Sequence, residues 1–169
     1  ESYLGEQVTM SQHMLQAAQL AEQSGASDTV ITAAPLHDIG HYTNEFPDDA
    51  IAQGTDNLHE EAGARVLAPF FPTAVIDCIL HHVAAKRYLC ATDPNYFGQL
   101  SEASVHTLNL QGGPMNATEI AIFAQEPNLD AILQVRIWDD QSKDPAVVTP
   151  DFNHYAPMIA RVVAAHQKD

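Results

Sequence analysis

The chain has 169 residues, enough for one hydrophobic core and too few to expect two, so we predict a single domain over 1–169. Its 22 acidic and 7 basic residues give a formal net charge of −15, which disfavours nucleic acids and anionic membranes as partners. The sequence shows neither a run of about 20 apolar residues nor a secretion-type leader, so we predict a cytoplasmic protein.

Apolar residues recur at helical spacing along the chain and strand-like alternation is missing, which predicts an all-α fold of eight helices. The first helix is predicted over 8–24. The second is predicted over 27–42, with Ser27 as its N-cap and either a kink or an altered helix start at Pro35. The segment 43–57 is rich in Asp, Pro and Gly and is predicted to be a loop.

Six further helices are predicted in the rest of the chain. They lie near 58–67 and 72–85, after the break at Asp93-Pro94 through Leu108, from Asn116 onward, and near 129–140 and 152–167. Asn116 with Glu119 three residues later is predicted to form a capping box.

An imidazole and a carboxylate stand side by side at His37-Asp38, directly after the apolar run Ala33-Ala34-Pro35-Leu36. Such a pair makes a poor core segment, but nitrogen and hard oxygen donors together suit iron or manganese. His41 follows His37 by four residues and is predicted to face the same way on a helix.

Further candidate ligands are spread over separate predicted helices. They are His13, His59, His82 and Asp139. With His37 and Asp38 they make four imidazoles and two carboxylates, too many for one tetrahedral ion and suited to two ions that share a bridge. His81 is an alternative to His82, and Asp140 to Asp139, because helix neighbours point about 100° apart. Any one histidine taken alone is more simply explained as a surface or hydrogen-bonded core residue.

The His37-Asp38 pair, with His13 upstream and Asp139 downstream, resembles the metal-binding pattern of the HD-domain superfamily. His59 and His82 fall where that superfamily has the two additional histidines of its dinuclear members. The resemblance implies a helical bundle around a buried dinuclear metal site.

Seven blocks, in order and at similar spacing, resemble one subgroup of that superfamily, the mixed-valent diiron oxygenases that act on phosphonates. They cover residues 3–6, 37–42, 82–89, 100–104, 107–108, 111–115 and 136–139. The resemblance implies two iron ions as Fe(II)/Fe(III), O2 as cosubstrate and a small 1-hydroxyphosphonate substrate. The implied reaction is cleavage of the carbon–phosphorus bond of 2-amino-1-hydroxyethylphosphonate to glycine and phosphate.

Two of the seven basic residues share a helical face with a candidate metal ligand. Lys86 follows His82 by four positions and Arg136 precedes Asp139 by three. Either could bind an anionic substrate; the alternatives are a solvated lysine and an ion pair of Arg136 with Asp139 or Asp140.

The resemblance assigns substrate roles to a larger set of residues. It implies phosphonate binding by Lys86, Arg136, Ser104, Thr107 and Gln111, and it places His41 beside the metals and the substrate. His41 and Lys86 are the predicted catalytic residues.

The segment that contains Tyr3 and Glu6 resembles a loop that covers the substrate in this subgroup. The resemblance implies that Glu6 accepts a hydrogen bond from the substrate ammonium and that Tyr3 lies near an open iron position. Since a quaternary ammonium prefers an aromatic cage, a carboxylate favours a primary amine over a trimethylated substrate.

Three other functions stay open at this stage. The first is an oxygenase for a trimethylammonio analogue of the substrate. The second is an HD-type metal-dependent phosphohydrolase of a nucleotide or phosphate ester, which would use the same ligands to activate a bridging hydroxide. The third is a metal-binding sensor module without catalysis.

Overall fold

The computed structural model describes residues 6–43 and 58–168, and within these ranges the fold is all-α, as predicted. Its eight α-helices are α1 (Met10–Gln23), α2 (Asp28–Ala33), α3 (His59–Leu67), α4 (Thr73–Thr92), α5 (Glu102–Leu110), α6 (Ala117–Phe123), α7 (Leu129–Gln141) and α8 (Phe152–His166). Short 3-10 turns lie at Ala34–Leu36, Ile39–Tyr42 and Phe97–Gln99. None of these helices is both long and apolar enough to cross a bilayer.

Two predicted helix starts are confirmed by side-chain caps. Ser27 accepts a hydrogen bond from the backbone N–H of Val30 at the start of α2. Asn116 and Glu119 form the predicted reciprocal capping box on α6. Each cap satisfies N–H groups that the first helical turn leaves without an intrahelical partner.

The predicted helix over 27–42 is wrong in its second half. α2 ends at Ala33, and Pro35 lies in the 3-10 turn that follows, because proline has no N–H for the α-helical hydrogen bond. Asp38 leaves helical geometry altogether, at φ −101° and ψ 12°, before the second 3-10 turn. His37 and His41 therefore do not share the face of one α-helix.

Two further boundaries differ from the predicted ones. α4 runs on to Thr92 instead of ending near 85, and the helix through Leu108 begins only at Glu102, capped by Ser101. Most of the predicted loop over 43–57 lies outside the described residues.

The long helix α4 lies at the centre and packs against α2, α3 and α7, while α1 packs against α7 and the turn at Ala34–Leu36. Small buried residues such as Ala17, Ala18 and Ala21 let α1 approach its neighbours closely. This packing brings side chains from α1, α3, α4 and α7 to one interior point.

Gly40 shows how tightly the turn at Ile39–Tyr42 is seated on α3. A Cβ atom at this position would lie 1.8 Å from the carbonyl oxygen of His59 and 2.9 Å from the backbone nitrogen of Gly63. Only glycine therefore permits the approach that sets the His37-Asp38 pair beside His59.

Candidate metal centre and the cavity beside it

All six predicted metal ligands meet in the interior, and all are buried. They form two groups whose donor atoms lie within 4.8 Å of one another: His13, His37 and Asp139 in one, and Asp38, His59 and His82 in the other. His81 and Asp140 are not members of these groups. His81 faces Glu126 and Phe123, and Asp140 pairs with Arg136.

Asp38 joins the two groups, because its two carboxylate oxygens face different histidines. Oδ2 lies 3.3 Å from His13 Nε2 and 3.4 Å from His37 Nε2. Oδ1 lies 3.2 Å from His59 Nε2 and 3.4 Å from His82 Nε2. The carboxylate is thus placed to bridge two ions, one in each group.

The imidazoles are oriented by backbone carbonyls behind them. His13, His37 and His82 donate from Nδ1 to the carbonyls of Ser142, Ala34 and Ile79, at 3.0, 2.7 and 2.7 Å. A histidine that donates from Nδ1 to a carbonyl presents its other nitrogen, Nε2, to a metal ion.

The facing nitrogens show that these residues fit metal ions. The Nε2 atoms of His13 and His37 lie 3.0 Å apart, as do those of His59 and His82. Two imidazole lone pairs repel at this distance unless a cation lies between them. Two nitrogens that each bind one ion through a bond of about 2.1 Å could lie this close together.

The two buried carboxylates, Asp38 and Asp139, also require a cation close by. Within the described part of the chain, neither Asp38 Oδ2 nor Asp139 Oδ1 accepts a hydrogen bond of good geometry. Burial opposes protonation of His37, but Asp38 and Asp139 outweigh it and raise its pKa to about 9. The centre therefore holds positive charge, as protons or as metal ions, at neutral pH.

A cavity opens beside the metal centre. It is lined by Asp38, His59, His82 and Asp139, by the predicted substrate residues Glu6, Lys86, Ser104, Thr107, Gln111 and Arg136, and by Val83, Ala103 and Lys143. Six of the eight predicted substrate-binding residues thus meet in one place.

The other two predicted substrate residues stand apart from this lining. Tyr3 lies outside the described residues. His41 does not line the cavity but stacks on the ring of His59, with centroids 4.1 Å apart and planes at 17°. Burial and the neighbouring His59 lower the pKa of His41 to about 3, so its ring is neutral at physiological pH.

Lys86 and Arg136 bring positive charge to the cavity wall. Lys86 Nζ donates to Thr107 Oγ1 at 2.8 Å; burial lowers its pKa to about 7, and the charge of Arg136 adds to the effect. Arg136 forms the ion pairs that were the alternative to substrate binding: its guanidinium lies 2.7 Å from Asp139 Oδ2 and also pairs with Asp140. Tyr96 in turn donates to Asp140.

Lys143 is a cavity residue that the sequence reasoning missed. It lies 2.7 Å from Ser104 Oγ and 3.3 Å from Glu6 Oε1. Lys143 follows Asp139 by four residues, just as Lys86 follows His82. This spacing was the one signal in the sequence that could have pointed to Lys143. Lys143 follows the end of α7, so helical spacing alone could not place it.

Hydrogen bonds with Arg87 hold the Gly112-Gly113 segment in place. The Arg87 guanidinium donates to the Gly113 carbonyl at 2.8 Å and to Glu119 at 2.7 Å, and the Met115 N–H donates to the Arg87 carbonyl at 3.2 Å. Gly112 and Gly113 both have positive φ, which favours glycine. These bonds tie the turn after α5, and with it Gln111, to α4.

The chain is similar to known proteins over most of its length. Residues 10–119 match the family model described as HD domain. The chain is 55% identical over 166 residues to a protein from Leisingera caerulea named [1-hydroxy-2-(trimethylamino)ethyl]phosphonate dioxygenase (glycine-betaine-forming), with 98% of this chain and 85% of that protein covered. It is 45% identical over 156 residues to a hydroxymethylphosphonate dioxygenase from Gimesia maris, with 92% of this chain and 78% of that protein covered.

Proposed function

This chain belongs to the HD-domain family, alongside relatives named as phosphonate dioxygenases, and we propose that it is an iron-dependent oxygenase that cleaves the carbon–phosphorus bond of a 1-hydroxyphosphonate. One observation carries the proposal: the two ligand groups joined by Asp38 open into a cavity whose walls bear Lys86, Arg136 and Glu6. That cavity offers cations for a phosphonate and an anion for an ammonium group.

Two iron ions are the proposed cofactors, one held by His13, His37 and Asp139 and the other by His59 and His82, with Asp38 shared. Imidazole and carboxylate donors together suit iron. Bound iron supplies the redox chemistry with O2 that the side chains themselves lack. All three members of the second group, Asp38, His59 and His82, line the cavity, whereas Asp139 alone of the first group does, so the substrate would approach the second ion.

The protein's own residues would bind and orient the phosphonate. Lys86, Thr107 and Ser104 place an ammonium and two hydroxyl groups on one side of the cavity, and Arg136 lies beside the metal ligand Asp139. Charge-assisted hydrogen bonds of this kind are strong where water is excluded. A phosphonate would stabilise the protonated form of Lys86, whose pKa is otherwise about 7.

His41, predicted as a catalytic residue, would act through His59 in this proposal. Its neutral ring covers one face of the His59 imidazole and restricts the orientation of that ligand. Contact with the substrate itself is assigned to Lys86.

The proposed reaction balances with O2 as the only oxidant. The C1–H and C1–P bonds break, and O2 accepts four electrons. One oxygen atom joins the C1 hydroxyl oxygen in the carboxylate of the product and the other completes phosphate. No external reductant is required, so the cavity needs to admit only the phosphonate and O2.

We propose the trimethylammonio-substituted phosphonate as the substrate, which would give glycine betaine and phosphate. The 55% identity to a relative named for that substrate supports this choice. The primary amine, 2-amino-1-hydroxyethylphosphonate, is the second candidate: among the described cavity-lining residues Glu6 is present, and the only aromatic rings are the imidazoles of His59 and His82.

Reconstitution with iron under anaerobic conditions, followed by exposure to O2, tests the proposal. Iron content, O2 uptake, phosphate and the organic product would be measured with the trimethylammonio, 2-amino and hydroxymethyl phosphonates in parallel. We expect about two iron ions per chain and one O2 consumed per phosphate released. Faster formation of glycine than of glycine betaine would favour the second candidate.

Two outcomes would overturn the oxygenase assignment. Release of phosphate from a nucleotide or phosphate ester without O2 uptake would indicate a phosphohydrolase. Full iron loading without turnover of any of the three phosphonates would indicate a sensor module.

A further inference from the structure

Lys143 and Glu6 form an ion pair within a small polar cluster on the cavity wall. Lys143 Nζ lies 3.3 Å from Glu6 Oε1, 2.7 Å from Ser104 Oγ and 3.3 Å from Ser101 Oγ. Ser101 donates to the same Glu6 oxygen at 2.5 Å. Ser101 also caps α5. The cluster therefore joins the segment before α1, the start of α5 and the end of α7.

The ion pair lies on the solvent side of the cavity. The side chains of Glu6 and Lys143 are 15% and 12% exposed, whereas those of Arg136 and Asp38 are 4% and 1% exposed. Glu6 and Lys143 thus lie nearer to solvent than Arg136 and the metal ligands do.

We propose that Lys143 is a specificity-determining residue that competes with the substrate's cationic group for Glu6; this inference rests on the proposed function. Lys143 and a substrate ammonium are alternative partners for one carboxylate. A zwitterionic phosphonate supplies its own cation to Glu6, and Lys143, which already donates to Ser104, then pairs with the phosphonate instead of Glu6.

The charges of Glu6 and Lys143 explain how the cavity would discriminate between zwitterionic and purely anionic phosphonates. Hydroxymethylphosphonate lacks the positive charge that the amino-substituted phosphonates carry. If Lys143 were absent, the charge of Glu6 would repel the purely anionic substrate and attract the zwitterion without competition. Lys143 therefore allows phosphonates without a cationic group to bind as well, whereas Glu6 favours phosphonates that carry one.

Two variants and their combination test the inference in the iron-loaded protein. Lys143→Met removes the charge and keeps the length of the side chain, and Glu6→Gln removes the charge but keeps an acceptor for Ser101. For each variant, Kd would be measured without O2 and kcat/KM with O2, for the preferred zwitterionic phosphonate and for hydroxymethylphosphonate. Iron content and thermal stability would be recorded alongside.

We expect K143M to raise the ratio of zwitterion to hydroxymethylphosphonate affinity about fivefold, the scale of a near-surface ion pair, and E6Q to lower it by a similar factor. In the E6Q background, K143M should no longer raise the ratio, because position 6 then has no carboxylate for which Lys143 and the substrate could compete. Arg161→Met, which breaks the exposed pair with Asp28 far from the cavity, is the matched control and should leave the ratio unchanged.

Equal weakening of both substrates by K143M would overturn the proposal, because Lys143 would then serve only the phosphonate. An unchanged ratio would overturn it as well. Lys143→Gln, which keeps a donor for Ser104, provides the same measurement if K143M does not fold. Absence of binding and turnover in the wild-type protein would instead contradict the proposed function.

Discussion

Lys86→Met should weaken substrate binding and at the same time stabilise the fold. A charge-assisted hydrogen bond to the phosphonate contributes about 1.5–3 kcal/mol, so the substrate Kd should rise about 10- to 150-fold. The buried ammonium of Lys86, by contrast, destabilises the folded state. The fall of its pKa from 10.5 to about 7 corresponds to about 5 kcal/mol at pH below 7.

The net gain in stability should be smaller than that cost but of the same sign. Methionine fills the space of the four-carbon stem and loses the bond to Thr107, whose hydroxyl still donates to the Ser104 carbonyl. We expect the free energy of unfolding at pH 6 to rise by about 2 kcal/mol or more.

The pH dependence of this gain follows from the direction of the pKa shift. Between about pH 7 and 10.5 the unfolded chain keeps the Lys86 proton and the folded protein has lost it, so wild-type stability rises with pH in this interval. The advantage of K86M should therefore be largest below pH 7 and vanish toward pH 10.5. Bound metal ions would lower the pKa further and leave the sign unchanged.

Denaturant unfolding at several pH values and anaerobic titration with the phosphonate measure both effects. Lys168→Met, at an exposed position after α8, is the control and should change neither. A less stable K86M at pH 6 with unaltered substrate affinity would refute this reasoning and make Lys86 a structural residue.

Three other predictions concern the metal centre and its surroundings. Gly40→Ala should lower the free energy of unfolding by about 3 kcal/mol or more and reduce the iron content, because its Cβ would overlap backbone at the start of α3. Gly98→Ala, where a Cβ meets nothing within 4 Å, should be neutral in the same assays. Asp140→Asn should leave the metal content unchanged but raise KM several-fold, because Arg136 loses the carboxylate that orients it; loss of metal would contradict this. The pKa of His37 is raised to about 9, so protein stripped of metal with a chelator should lose stability as pH rises from 6.5 through 9, and iron should abolish that loss; parallel profiles with and without iron would count against it.

Helical periodicity and short-range signals were enough to predict the all-α fold. The caps at Ser27 and Asn116 act within three residues, so the sequence shows them directly. The chain around Pro35 could not be placed in the same way. Whether a proline kinks a helix or ends it depends on what the following residues contact. Here Gly40 packs closely against the backbone of α3.

The six candidate ligands could be named from residue type, and the histidine-aspartate pair pointed to the family. Their arrangement could not be worked out from spacing. His37 and His41 were expected on one helical face, but the turn geometry of Asp38 separates them and sends His41 onto the ring of His59. Lys143 was missed because it lies beyond the end of α7.

By itself, the sequence determined what depends on composition and local spacing: a helical chain, an acidic surface and a set of donors suited to iron. Only the tertiary structure decided which donors share an ion, that Asp38 connects the two groups, and that Glu6 meets Lys143 across more than 130 residues. The physical reason is that side-chain contacts between distant segments depend on how helices pack, and packing is set by the whole core at once.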